Sequence, residues 1–182
     1  MNGRKLKTTD IVYIAVCASL MAICSWISIP MTVPFTLQTF AVFLTVGILG
    51  GKIGTITVLI YILLGAVGVP VFSGFAGGLQ VLIGPTGGYI VGFILSALVM
   101  WGIEKVAGKK LWILGISMVL GLIVCYVFGT IWFMVLYASQ GKEITLAMAL
   151  GWCVIPFIIP DIIKIALALF MSKALRRAIK YE

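Results

Sequence analysis

The sequence predicts an all-α integral membrane protein of six transmembrane helices with both termini in the cytoplasm. Three observations carry this. Hydrophobic residues make up 63% of the 182 positions and charged residues only 10%, with a mean hydropathy of +1.25, far from a soluble composition. The apolar residues fall in runs close to the roughly 20 helical residues that cross a bilayer core of about 30 Å. The basic residues collect in short clusters between those runs, and six crossings put nearly all of them on one side.

Taken in order, the runs give approximate helices 11–29, 36–50, 53–68, 87–104, 111–137 and 150–175 in a single domain, 1–182. The first follows Arg4, Lys5 and Lys7. It is longer than a signal-peptide core and has no small-x-small cleavage site, so it reads as a retained span. From Leu37 to Val69 the chain is almost continuously apolar. One helix of that length would be roughly 50 Å long, so Gly50, Gly51 and Lys52 are the expected break. Pro156 and Pro160 predict that the last helix bends or begins irregularly, since each removes a backbone donor and crowds the preceding turn.

With the N-terminus inside, eleven of the thirteen basic residues are cytoplasmic: Arg4, Lys5, Lys7, Lys52, Lys105, Lys109, Lys110, Lys173, Arg176, Arg177 and Lys180. Lys142, beside Glu143, is outside, and Lys164 lies within a span. An odd number of crossings would scatter the clusters. Three outer segments follow: Pro30 to Thr36, the glycine-rich stretch SGFAGGLQVLIGPTGGY (73–89), and Ala138 to Ala149.

Composition excludes several function classes. The net charge of +8 sits in loops rather than on a solvated face, which argues against nucleic acid. Four cysteines (Cys17, Cys24, Cys125, Cys153) lie inside apolar runs without metal-ligand spacing, and there is no histidine. A metal site or cofactor is therefore not expected, and the cysteines read as small buried hydrophobes. GPTGGY lacks the lysine of a phosphate-binding loop and faces outward, and no such loop occurs elsewhere, so the chain is not expected to hydrolyse ATP by that route. No nucleophile-base spacing suggests an enzyme.

The chemistry concentrates in IPFIIPDIIK, where Asp161 and Lys164 are the ionisable residues deep in a span. Charges there cost several kcal/mol and usually mark a substrate path or an internal pair. Their spacing of three puts both on one helical face. Asp161 can accept N–H groups and Lys164 can attract an anionic group; the competing reading is an ion pair that only pins helix packing. Thr36, Gln38 and Thr39 form a polar run at the start of the second helix. Phe35, Tyr61, Phe72, Phe75 and Tyr89 either line an apolar pocket or belong to an interfacial belt, with Trp101, Trp112 and Trp152 in the belt. Small residues four apart (Ala18/Ala22, Gly47/Gly51, Gly50/Gly54, Gly84/Gly88, Gly88/Gly92) suit close helix packing.

The stretches VPFTLQTFAVFLTVGILGG (33–51), YILLGAVGVPVFSG (61–74), GPTGGYIVGF (84–93) and PDIIK (160–164) together resemble the BioY family. Its members are biotin-specific S components of energy-coupling factor (ECF) transporters. The resemblance runs nearly end to end. It implies the ECF S-component fold in the cell membrane, among membrane lipid, and biotin capture from outside. It also implies partners: a transmembrane coupling subunit, EcfT, and two cytoplasmic ATPase subunits. The PDIIK match implies Asp161 and Lys164 as biotin contacts. The VPFTLQ and GPTGGY matches imply outer segments over the pocket, with Gly77, Gly78, Gly84 and Gly87 in the covering loop. Thr36, Phe35, Gln38, Tyr61, Gln80, Thr86 and Tyr89 complete the candidate contacts. Ala18 and Ala22 on helix 1 are similar to the alanine motif that docks on the coupling subunit. Biotin's ureido group, apolar rings and carboxylate suit a mostly apolar cavity with a few placed polar groups. The alternatives are an S component for another vitamin, such as thiamin or riboflavin, and a small ion-coupled secondary transporter that uses Asp161 and Lys164.

Overall fold

The computed structural model describes residues 7–31 and 33–179. Arg4, Lys5 and Lys180 of the basic clusters lie outside the described residues. The described residues form seven α-helices, α1 (Thr8–Trp26), α2 (Gln38–Ala66), α3 (Leu79–Ile83), α4 (Gly87–Ala107), α5 (Leu111–Ser139), α6 (Leu146–Cys153) and α7 (Ile155–Ile179), and two short strands, β1 (Ser28–Ile29) and β2 (Phe35–Thr36). The strands pair antiparallel, Ser28 with Thr36 and Ile29 with Phe35. Among the described residues, five helices are long and apolar enough to cross a membrane: α1, α2, α4, α5 and the Ile155–Arg177 part of α7.

Sequence expected six such helices, and the difference lies in α2. Its 29 residues are interrupted at Gly50, whose φ of 77° and ψ of 166° are not helical. The interruption is a reversal. Gln38 Nε2 donates to Tyr61 Oη at 2.8 Å, whereas an unbroken helix would separate two residues 23 apart by roughly 34 Å. The halves therefore lie back to back, and a Cβ at Gly54 would sit 2.6 Å from Val46 Cα. Only glycine readily takes the Gly50 conformation.

A break in a helix orphans backbone groups, and burial makes each costly. Gly51 N–H and Gly47 C=O, four apart, would be partners in a continuous helix. Here Glu104 Oε2 accepts from Gly51 N–H at 2.6 Å, and the Arg176 guanidinium donates to Gly47 C=O. Arg176 also reaches Lys109 C=O at 3.3 Å. The break, the end of α4, the start of α5 and the end of α7 are thus held together at one end of the bundle.

At the opposite end, Ser25 Oγ and Tyr61 Oη both donate to Val71 C=O. Between the ends, helices approach through small residues. Gly88 and Gly92 lie against Trp132 and Cys125 of α5, and Gly47 lies against Ser172 of α7. Most of the small-residue pairs read from sequence serve packing in this way.

The last expected helix, 150–175, is two. Thr145 caps α6 by accepting from Met148 N–H at 3.3 Å, and Val154 departs from helical geometry (φ −126°, ψ −56°) before α7 begins. Pro156 then falls in the first turn of α7, where its missing N–H has no helical partner to lose, while Pro160 sits inside the helix. The ladder of β1 and β2, the 3-10 turn Ser73–Phe75 and α3 were not expected from sequence. They organise two of the connections at the cavity end.

Two substitutions test the reversal. Gly50→Val forces a β-branched residue into a conformation that costs about 1–3 kcal/mol, and Glu104→Ala leaves the Gly51 N–H unpaired at a cost of about 1–3 kcal/mol. Each is expected to lower the thermal unfolding midpoint of the purified protein, and unchanged midpoints in both would contradict the capped-break description.

Candidate functional site

The end opposite Gly50 holds a cavity of about 240 Å³, close to the lower end of the roughly 300–1,000 Å³ usual for small-molecule sites. Val33, Phe72, Ile90, Phe93 and Phe157 supply apolar walls, and Thr36, Gln38, Thr39, Thr86, Tyr126, Asp161 and Lys164 place polar groups on it. Segments on all sides contribute: the β1–β2 connection, the start of α2, the glycine-rich stretch, α4, α5, α6 and α7.

The polar centre is the Asp161–Lys164 pair, 2% and 4% exposed. Lys164 Nζ lies 2.8 Å from Asp161 Oδ1, as the i,i+3 spacing on one face of α7 requires. Thr39, from the start of α2, bridges the two: its hydroxyl donates to Asp161 Oδ1 at 3.0 Å and accepts from Lys164 Nζ at 3.2 Å. Tyr126, from α5, donates to Asp161 Oδ2 at 2.5 Å. The ammonium also sits 4.1 Å from the centroid of the Phe35 ring, a favourable cation–π position. Three helices and the β1–β2 ladder thus converge on one ion pair.

This arrangement leaves few valences for a ligand. Lys164 has three N–H donors, two of them committed to Asp161 and Thr39. Asp161 accepts three hydrogen bonds of the roughly four a carboxylate can take. One Lys164 N–H and one acceptor position, on Asp161 Oδ2, remain. That pattern suits a neutral group with an adjacent carbonyl and N–H, such as a urea or lactam edge.

The other residues singled out from sequence divide. Thr36, Gln38, Thr86 and Tyr89 line the cavity with Asp161 and Lys164, and Phe35 joins through Lys164. Gln38 is also committed to Tyr61, which is fully buried and reaches Val71 C=O, so Tyr61 braces the wall from behind. Gln80 is exposed and turned away, its amide donating to Gly77 C=O at 2.6 Å. The cavity wall at that point is its neighbour Val81. Gly77, Gly78, Gly84 and Gly87 shape the connection between α2 and α4. Gly78 N–H reaches Gly65 C=O at 2.7 Å, Trp132 Nε1 donates to Gly84 C=O at 3.1 Å, and a Cβ at Gly87 would overlap the Leu82 carbonyl.

Ala18 and Ala22 require a correction. Both are 6% exposed and belong to the core of the bundle, so they do not form an outward face. Ala15 and Ser19, one turn apart on the adjoining stripe of α1, are small residues that are exposed. Sequence reasoning also missed Tyr126, Cys125 and Cys153 as cavity residues. Tyr126 carries the polar atom of an otherwise apolar stretch of α5, and asking what would satisfy the second oxygen of a buried Asp161 is the question that leads to it.

A family model described as the BioY family matches residues 1–181. The chain is 42% identical over 160 residues to the biotin transporter BioY of Thermotoga maritima, covering 87% of this chain and 90% of that one. It is 37% identical over 172 residues to the probable biotin transporter BioY of Pyrococcus horikoshii, covering 94% and 98%. Among solved structures it resembles the S-component for biotin from an ECF-type ABC transporter, with a TM-score of 0.82 and 27% identity over 97% of this chain and 95% of that chain. With a match along nearly its whole length and a cavity built on the PDIIK pair, the chain belongs to the BioY family.

Proposed function

We propose that the chain is the biotin-binding S component of an ECF-type ABC importer, a multi-pass protein of the plasma membrane that captures biotin at its outer end and performs no chemistry on it. The observation that carries this reading is the apolar cavity whose floor is one ion pair with a single donor and acceptor left open. Relatives named as biotin transporters, and the fold of a biotin S-component, support it.

The topology proposed with it is six crossings in one domain, 1–182, with both ends in the cytoplasm and α2 counted as two crossings. Its support is the reversal at Gly50 and the gathering of Glu104, Lys109 and Arg176 beside it, which favours that end as the cytoplasmic one. The cavity is then outward. Asp161, Lys164, Thr36, Gln38, Thr86 and Tyr89 are the proposed contacts, with Thr39 and Tyr126 added and Phe35 acting through Lys164. Gly77, Gly78, Gly84 and Gly87 belong to the cover.

The pair also orients the ligand. Asp161 and Lys164 neutralise each other, and no other charged side chain lines the cavity among the described residues. A carboxylate placed at the floor would be a buried charge without a cation of its own. The ureido end therefore meets the pair, and the carboxylate faces the hydroxyls of Thr36, Ser73 and Thr86 near the cover.

Uptake against a gradient needs energy that this sequence has no phosphate-binding loop to harvest, so the proposed partners are the coupling subunit EcfT and two ATPase subunits. Helix α1 is the proposed docking element through Ala15 and Ser19, since close approach needs small residues that face outward.

Equilibrium binding to the purified chain without ATP is expected to give a sub-micromolar biotin Kd, with biotin methyl ester retaining most of that affinity; preferential binding of thiamin or riboflavin would sink the reading. For α1, Ala15→Trp is expected to preserve biotin binding while abolishing co-purification of the ATPase subunits, and normal recovery of the complex would remove α1 as the docking element.

A further inference from the structure

The segment between α2 and α3 crosses the cavity as a small flap. Phe72 and Ala76 face each other as a bridge, with Phe72 N–H donating to Ala76 C=O at 2.9 Å. Phe72, Ser73 and Ala76 line the cavity. At its tip the backbone turns left-handed twice in succession, at Gly74 (φ 70°) and at Phe75 (φ 57°), the one positive-φ residue other than glycine among those described. A bulky L-residue adopts that conformation only where something holds it.

What holds it is Trp26, the last residue of α1. The two rings stack at 4.9 Å between centroids with an interplanar angle of 27°, and Trp26 Nε1 donates to Pro70 C=O at 2.9 Å at the base of the flap. Phe75 is 64% exposed, so ordinary burial does not account for its placement. Neither ring lines the cavity. The stack thus fastens the outer face of a segment whose inner face forms the cavity wall.

Accepting the biotin reading above, we propose that the Trp26–Phe75 stack is the latch of a gate that sets how fast ligand enters and leaves. Neither ring meets the cavity, so the latch touches no ligand and, as proposed, is shut both before and after capture. Its contribution therefore cancels between the free and bound closed states and appears only in the barrier between closed and open. Loosening it speeds entry and exit together and leaves the equilibrium nearly where it was. A residue that contacts the ligand, or one that merely supports the fold, would raise the exit rate and weaken affinity in proportion.

The test measures association and dissociation of radiolabelled biotin with the full chain in lipid nanodiscs, for the unaltered protein and for Phe75→Ala, Trp26→Ala and Trp26→Phe. The expected result is that both rates rise at least tenfold in Phe75→Ala and in Trp26→Ala, with Kd within threefold of the unaltered protein. Trp26→Phe, which keeps a ring to stack, is expected to return both rates most of the way. Unchanged rates in the two alanine variants would overturn the latch, as would a faster exit matched by an equal loss of affinity. If the unaltered chain does not bind biotin, the functional reading fails and the latch falls with it; biotin binding with unaltered rates removes the latch alone.

Discussion

Two opposite charges buried in an apolar bundle impose the constraint on which the site depends. Each of Asp161 and Lys164 would carry a penalty of several kcal/mol if left alone. Together, at 2.8 Å, they form a neutral unit, but only while every remaining hydrogen bond is nearly satisfied. That requirement fixes neighbours from elsewhere in the chain: Thr39 from the start of α2 and Tyr126 from α5. The cavity wall is thus assembled by the needs of the pair. The same near-saturation limits what a ligand can offer, which favours a neutral edge with one donor and one acceptor over a second carboxylate.

Thr39 can reach the pair because α2 doubles back. The reversal brings the start of α2 to the same end as Tyr61 and the flap, and the Gln38–Tyr61–Val71 chain of hydrogen bonds fastens it there. At the other end, the orphaned groups of the break are capped by Glu104 and Arg176. Arg176 lies on the same helix as Asp161 and Lys164, so α7 meets α2 at both ends, through Thr39 near the cavity and through Gly47 near the break. A long apolar stretch becomes a paired element braced at top and bottom.

Much of this was legible from residue type and spacing. Charge at membrane depth singled out Asp161 and Lys164, and length against bilayer thickness placed the break within Gly50, Gly51 and Lys52. What remained hidden was relational. Glu104 and Arg176 lie more than fifty and more than one hundred positions from the groups they cap, and nothing local announces those contacts. Tyr126 sits in a run whose apolar character masks one hydroxyl. Ala18 and Ala22 have the right spacing, but spacing does not reveal which way a uniformly apolar helix faces, and the packing turned them inward. Gln80 is polar and close to the cover, yet a short helix directs its neighbour Val81 to the cavity instead.

The central claim is that the Asp161–Lys164 pair binds the ligand as well as holding α7 in place. Biotin affinity of Asp161→Asn and of Lys164→Ala, with a thermal unfolding midpoint recorded for each, tests it most directly. The account predicts that each folded variant loses at least tenfold in affinity, about 1.4 kcal/mol. Full affinity in both variants would reduce the pair to a packing device and contradict the account.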